Sequence, residues 1–199
     1  MRNQYQQKPL LPVIRAWRLD GLRPGRFETE ALVFRAELHR IAGRRAEAVA
    51  NAEEAVKISR ETGPAFLGPF ALGALALASE DPTARQAALA EGEALLEAGA
   101  VSHNHLLFRR DAIDAYLGAG DWEGVERSAA GLPQYTRSEP LPFSDFYSAL
   151  ARALASCGRG QSNTTALPAE LEHLREEGER LGLQVALPEI VKAIEEMRG

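Results

Sequence analysis

His103 and His105 flank Asn104, and two imidazoles this close raise the question of a metal. Residues two apart leave a helix on different faces. No nearby cysteine or carboxylate completes a ligand set. The expectation is a polar connection in which Ser102 or Asn104 caps the helix that follows, with no metal held. Asp111 with Asp114, and Glu176 with Glu177 and Glu179, could in principle divide acid and base duties. Paired catalytic carboxylates need a shaped, partly dry site to separate their pKa values, and spacing alone supplies none, so these are expected as charged helix surface. His39, late in a helix, suits the negative end of the helix dipole. Cys157 lacks a partner histidine and reads as a packing thiol. Gly158-Arg159-Gly160-Gln161-Ser162 resembles a phosphate loop but has no preceding strand and no following lysine. Gly-x-x-x-x-Gly-Lys-Ser/Thr, Gly-x-Gly-x-x-Gly and His-Glu-x-x-His are all missing from the sequence. These residues point to a chain that binds rather than catalyses, with no cofactor.

Bulk composition is consistent with that. Of 199 residues, 45% are hydrophobic and 26% charged, which is ordinary for a soluble domain. A single cysteine excludes an internal disulfide framework. No apolar run is long enough to span a bilayer, and the polar first residues lack the apolar core of a secretion signal, so the expected compartment is the cytoplasm. Net charge is −5 and uneven. Residues 1–26 carry six basic groups against Asp20 alone, which leaves −10 on the rest of the chain. Residues 1–26 are expected as a basic arm or leader, solvated or folded onto the acidic body, and 27–199 as the folded domain. A pI near 5.5 argues against a dedicated nucleic-acid binder, since phosphate contacts dominate such affinity.

The elements that would position any site are marked by punctuation. Short polar breaks fall at Gly43, at Glu80-Asp81-Pro82, at Gly120-Asp121 and at Gly158-Arg159-Gly160. Their spacing is nearly constant, as in a repeat array. Between them lie looser breaks near Gly63-Pro64, Gly99 to His105 and Glu139 to Pro142. Each period therefore holds two helices. Apolar residues recur at helical spacing between breaks: Leu32, Phe34, Leu38 and Ile41; Ala48, Val49, Ala52, Ala55 and Val56; Leu106, Ile113, Tyr116 and Leu117. Glycines suit the left-handed end of a helix, while Pro64, Pro82 and Pro188 suit a first turn. Pro133 either ends its helix near Gly131 or kinks it. No alternating β-branched run argues for a sheet.

Two of the pairs resemble tetratricopeptide repeats. Ala48 and Ala55 follow Gly43 at that family's two small-residue positions. Tyr116 occupies its aromatic position, and Gly120-Asp121-Trp122 resembles its turn. The third pair departs with Val125 and Leu132 at the small positions, the second lacks the turn glycine, and the fourth carries an insertion, Gln161 to Thr165. The resemblance implies an all-α superhelical stack of about four helix–turn–helix repeats, closed by a capping helix from Pro188 to Met197. The stretch Arg110 to Leu154 also resembles the carboxy-terminal helical region of bacterial multidomain nucleotide-cyclase proteins that carry an ATPase module. Gly120-Asp121-Trp122, Arg127 to Ala130, Tyr135-Thr136 and Glu139 to Phe146 carry that likeness. It implies a regulatory or scaffolding role, with the chemistry elsewhere.

In tetratricopeptide arrays the first helix of each pair lines a concave groove. Carried over, this places Glu37 and Arg40 of the first pair, Arg110 and Asp114 of the third, and Asp145 and Arg152 of the fourth along it. The lysine and asparagine that chaperone-binding members use to clamp a carboxylate terminus are replaced here by Val33 and Glu37. The expected function is therefore a non-catalytic interaction or regulatory module that takes a peptide or protein segment in the groove, with neither nucleic acid nor membrane as partner. The alternative is a small-molecule effector-sensing domain, because the apolar, glycine-rich stretch Pro64 to Ala78 could line a pocket.

Overall fold

The computed structural model describes residues 25–160 and 166–198. Both the basic arm and the Gln161 to Thr165 insertion fall, wholly or nearly so, outside them. Among the described residues every regular element is a helix: α1 (Arg26–Ile41), α2 (Arg45–Thr62), α3 (Pro64–Ala78), α4 (Pro82–Glu97), α5 (Ser102–Ala119), α6 (Trp122–Tyr135), α7 (Pro142–Gly158), α8 (Leu167–Leu181) and α9 (Leu187–Arg198).

Local chemistry sets the ends. Gly43 and Gly120 both hold a positive φ, in a region that costs other residues steric strain. At Gly120 the chain reverses with Gly120 and Asp121 donating to the carbonyls of Leu117 and Tyr116. Asp121 then caps α6 by accepting the Gly124 N–H at 2.9 Å. Asp81 does the same for α4 by accepting the Thr83 N–H, also at 2.9 Å. That explains how the second pair turns without a glycine. α6 continues through Pro133 to Tyr135 and does not end at Gly131.

Each helix packs on its chain neighbour, and α1, α3, α5 and α7 also pack on one another in series. Small residues permit the close approaches. Ala48, Ala52 and Ala55 on α2 are completely enclosed. Gly92 on α4 leaves room for the ring of Phe108, and Gly124 on α6 lies directly against Tyr116, so a Cβ at either position would collide with an aromatic. The core is continuous from Val33 and Ala36 through Phe70, Phe108, Leu132 and Phe146 to Leu171 and Ile190. α9 buries Ile190, Ala193 and Ile194 and exposes Glu189, Lys192, Glu195 and Glu196.

α1 presents its faces differently from the sequence expectation. Thr29, Val33 and Ala36 turn inward, while Phe27, Phe34, Leu38 and Ile41 are exposed, Phe34 standing edge-on to Phe70. The reason is that, among the described helices, α1 packs chiefly on α2 and α3.

The buried alanines make a stability prediction. Ala48→Leu should lower stability by about 1–3 kcal/mol through overpacking, whereas Ala90→Leu, at an exposed position of α4, should be nearly neutral. Urea denaturation midpoints of the two variants check this. Equal midpoints would mean that Ala48 is not at a close contact.

Candidate functional site

The alternate helices α1, α3, α5 and α7 assemble a charged cluster. On α1, Arg40 donates to Glu37 at 3.4 Å. On α5, Arg110 donates twice to one oxygen of Asp111, from Nε at 2.8 Å and Nη2 at 2.6 Å, and its Nη2 lies 4.0 Å from Glu37. Adjacent residues on a helix point in different directions. Here the length of the arginine stem lets its guanidinium fold back onto Asp111. α3 contributes space: a Cβ added at Gly73 would stand 3.0 Å from the Cβ of Asp111. α7 contributes Tyr147, which is buried and feels the charges of Arg110, Asp114, Asp111 and Glu37. Three carboxylates thus face two guanidiniums.

The carboxyls are electrostatically uneven. Burial pushes Asp111 up to about 6, and the Arg110 charge and hydrogen bonds hold it from rising further. Asp114 is raised to about 7, first by the surrounding protein mass and then by repulsion from Asp111, against the pull of Arg110 and Arg40. Asp114 is nevertheless open to solvent. Water therefore tempers its shift.

The structure therefore brings together four residues selected from the sequence: Glu37, Arg40, Arg110 and Asp114. Asp145 is exposed in the first turn of α7, and Arg152 reaches sideways to Glu126 of α6 at 3.3 Å and to the Ser148 hydroxyl at 3.0 Å. Neither joins the cluster. Two expectations need correcting. Asp111 is 1% exposed, and so is no solvated helix surface. Arg110 is 18% exposed at its side chain and already engaged by Asp111, so it is not free to grip a partner's carboxylate. Sequence reasoning did not assign Tyr147 or Gly73 to the site. Their only signals were an aromatic and a glycine in apolar helices, which any core provides.

The other chemically suggestive residues go elsewhere. His105 stacks flat on Tyr135 at 3.9 Å, and His103 stands edge-on to Phe66. Cys157 lies 4.0 Å from the Met197 sulfur, and burial raises its thiol pKa. Among the described residues no group of three or more potential metal-ligating side chains converges, and no helix is long and apolar enough to cross a membrane. In comparisons with protein-family models, curated proteins and solved structures, nothing matches this chain.

The raised Asp114 pKa fixes the sign of a pH effect. An aspartate in the unfolded chain titrates at about 3.9, so from about there up to about 7 the folded state binds more protons at Asp114 than the unfolded state does. Its contribution to stability is present below that window and is lost as pH rises through it. Against Asp114→Asn, which cannot ionise, the wild type should become relatively less stable from pH 5 to pH 8. Solvent screening limits the change to on the order of 1 kcal/mol. Comparing the two proteins removes the opposing contribution of His39 and His105, whose pKa values are lowered mainly by burial. A difference in melting temperature that stays constant across this range would contradict the assignment.

Proposed function

We propose that this chain is a non-catalytic interaction and regulatory module. In this reading it is a superhelical array of tetratricopeptide-like repeats that takes a peptide or protein segment in its concave groove. The observation that carries it is the meeting of Glu37 and Arg40 with Arg110 and Asp114. These two pairs are far apart in sequence, on helices of the one series that packs successively along the stack. Repeats that merge their faces into one surface present this kind of patch. With Arg110 held by Asp111, the accessible group is the Asp114 carboxylate, and carboxylates outnumber guanidiniums. The segment bound there would present a lysine or arginine. The resemblance to cyclase- and ATPase-linked repeat regions supports a regulatory or scaffolding part of a larger cytoplasmic bacterial signalling protein.

The test uses a panel of short fluorescent peptides, basic and acidic, titrated by anisotropy. Basic peptides should bind more tightly, and more so above pH 7, where Asp114 is ionised. Asp114→Asn should weaken the best binder about tenfold, the loss of one charge-assisted contact. Arg127→Ala, on exposed α6 surface beside the Tyr116 ring, is the control and should leave affinity unchanged. Equal affinity for acidic and basic peptides, or loss only in the control, would remove the groove assignment.

A further inference from the structure

A concavity separate from the charged cluster lies where the end of α2 meets the start of α3. It has a volume of about 430 Å³ and is half open to solvent, between Thr29 of α1, Ser59 of α2, the first turn of α3, Leu95 of α4 and Ala98, which caps the end of α4. That volume falls within the range of small-molecule sites. Among the described residues its lining contains no charged side chain and is mostly apolar.

Two groups in that wall are out of place for simple packing. The hydroxyl oxygens of Thr29 and Ser59 are shut away from solvent and have no hydrogen-bond partner among the described residues, although the residues are 1% and 2% exposed. A buried polar group without a partner costs free energy. By contrast, the neighbouring Thr62 hydroxyl is satisfied by the Ile58 carbonyl at 2.8 Å. α3 starts beside them with Gly63 as its N-cap, which offers no side chain to its first N–H groups. An apolar concavity with two idle hydroxyls lacks one thing, a polar atom carried in on an apolar body.

We infer that this cavity, between Thr29, Ser59 and the first turn of α3, binds a small neutral amphiphile with an apolar body and one hydroxyl or carbonyl. A neutral ligand is specified because the described lining has no counter-ion for a charged one, and desolvating an unpaired charge is far costlier than desolvating a hydroxyl. The inference does not depend on the peptide-binding reading, which concerns other residues.

The experiment titrates the full chain with 1-octanol, octanoate and octylamine and follows backbone amide resonances. 1-Octanol should give saturable shifts confined to the end of α2 and the first turn of α3, with the two charged probes at least about tenfold weaker. Thr29→Val with Ser59→Ala should weaken octanol about tenfold, the loss expected when a ligand hydroxyl is left unpaired. The same pair should raise the melting temperature of the free protein, because it removes idle buried hydroxyls. A purely structural role for the hydroxyls would lower it. Ala98→Phe, at an exposed position on the rim, should fill the cavity and abolish the shifts without unfolding the chain. Shifts that never saturate, that survive Ala98→Phe, or that are strongest for a charged probe would overturn the inference.

Discussion

Arg110→Ala should destabilise the protein by about 3–5 kcal/mol at pH 8, the range for removing one partner from a buried ion pair. Asp111 is 1% exposed, and its ionised form is held by two guanidinium bonds to one oxygen. Without Arg110 the carboxylate must either stay charged in a dry site or take up a proton. Its pKa already stands at about 6 with the arginine present, so the variant should be least damaged at acid pH, where Asp111 is neutral in either protein. The loss should therefore shrink on going from pH 8 to pH 5. Arg110→Ala combined with Asp111→Asn should recover part of the stability at pH 8 by removing the stranded charge. Urea melts of the two variants at both pH values check this. A loss under about 0.5 kcal/mol at pH 8 would place the pair among surface ion pairs of little worth and would reopen Arg110 as a free binding side chain.

That expected cost shows where sequence reading reaches and where it stops. The breaks at Gly43, Gly63 and Gly120 were legible because a helix end is a local event: a glycine entering positive φ and the residues beside it suffice. The all-helical fold followed from those breaks and the apolar period between them. Four charges of the cluster could be selected because the first helix of each pair could be read from that rhythm. What they contact could not. That Asp111 lies buried against α3, with Arg110 folded back onto it, depends on contacts between helices, such as the close approach that Gly73 permits by lacking a side chain. The inward face of α1 was equally hidden, since Phe34 and Val33 are both apolar and only the positions of α2 and α3 decide between them. Pro64 to Ala78 was legible as one helix, and α3 has those bounds, but how it carries Pro69 was not, because what accommodates the proline lies on a different helix, α5.

Asn104 is what accommodates it, and Asn104→Ala should cost about 1–3 kcal/mol, since it removes the acceptor of the buried Phe70 N–H. A proline inside a helix withholds one N–H and pushes its ring against the carbonyl four residues back. In α3 that carbonyl is Ala65, which instead receives the Val101 N–H at 3.0 Å. The Asn104 side chain enters the opened turn. Its oxygen accepts the Phe70 N–H at 3.3 Å, and its amide nitrogen donates to the Phe66 carbonyl at 2.8 Å. Asn104 is fully buried in the first turn of α5, where Val101 supplies the N-cap without a side-chain bond. The residue suspected of capping its own helix thus repairs another one. Truncation to alanine takes away the oxygen that accepts the buried Phe70 N–H, and a hydrogen bond lost in a dry site is the costly kind. Pro69→Ala offers a specific check, because it restores the missing donor to α3. If the asparagine exists to serve the proline break, the two substitutions should be strongly non-additive, and Asn104→Ala should cost much less in a Pro69→Ala background. Hydrogen exchange at the Phe70 amide should accelerate in Asn104→Ala alone. Additive effects, with unchanged exchange at Phe70, would show that α3 holds its turn without help from α5.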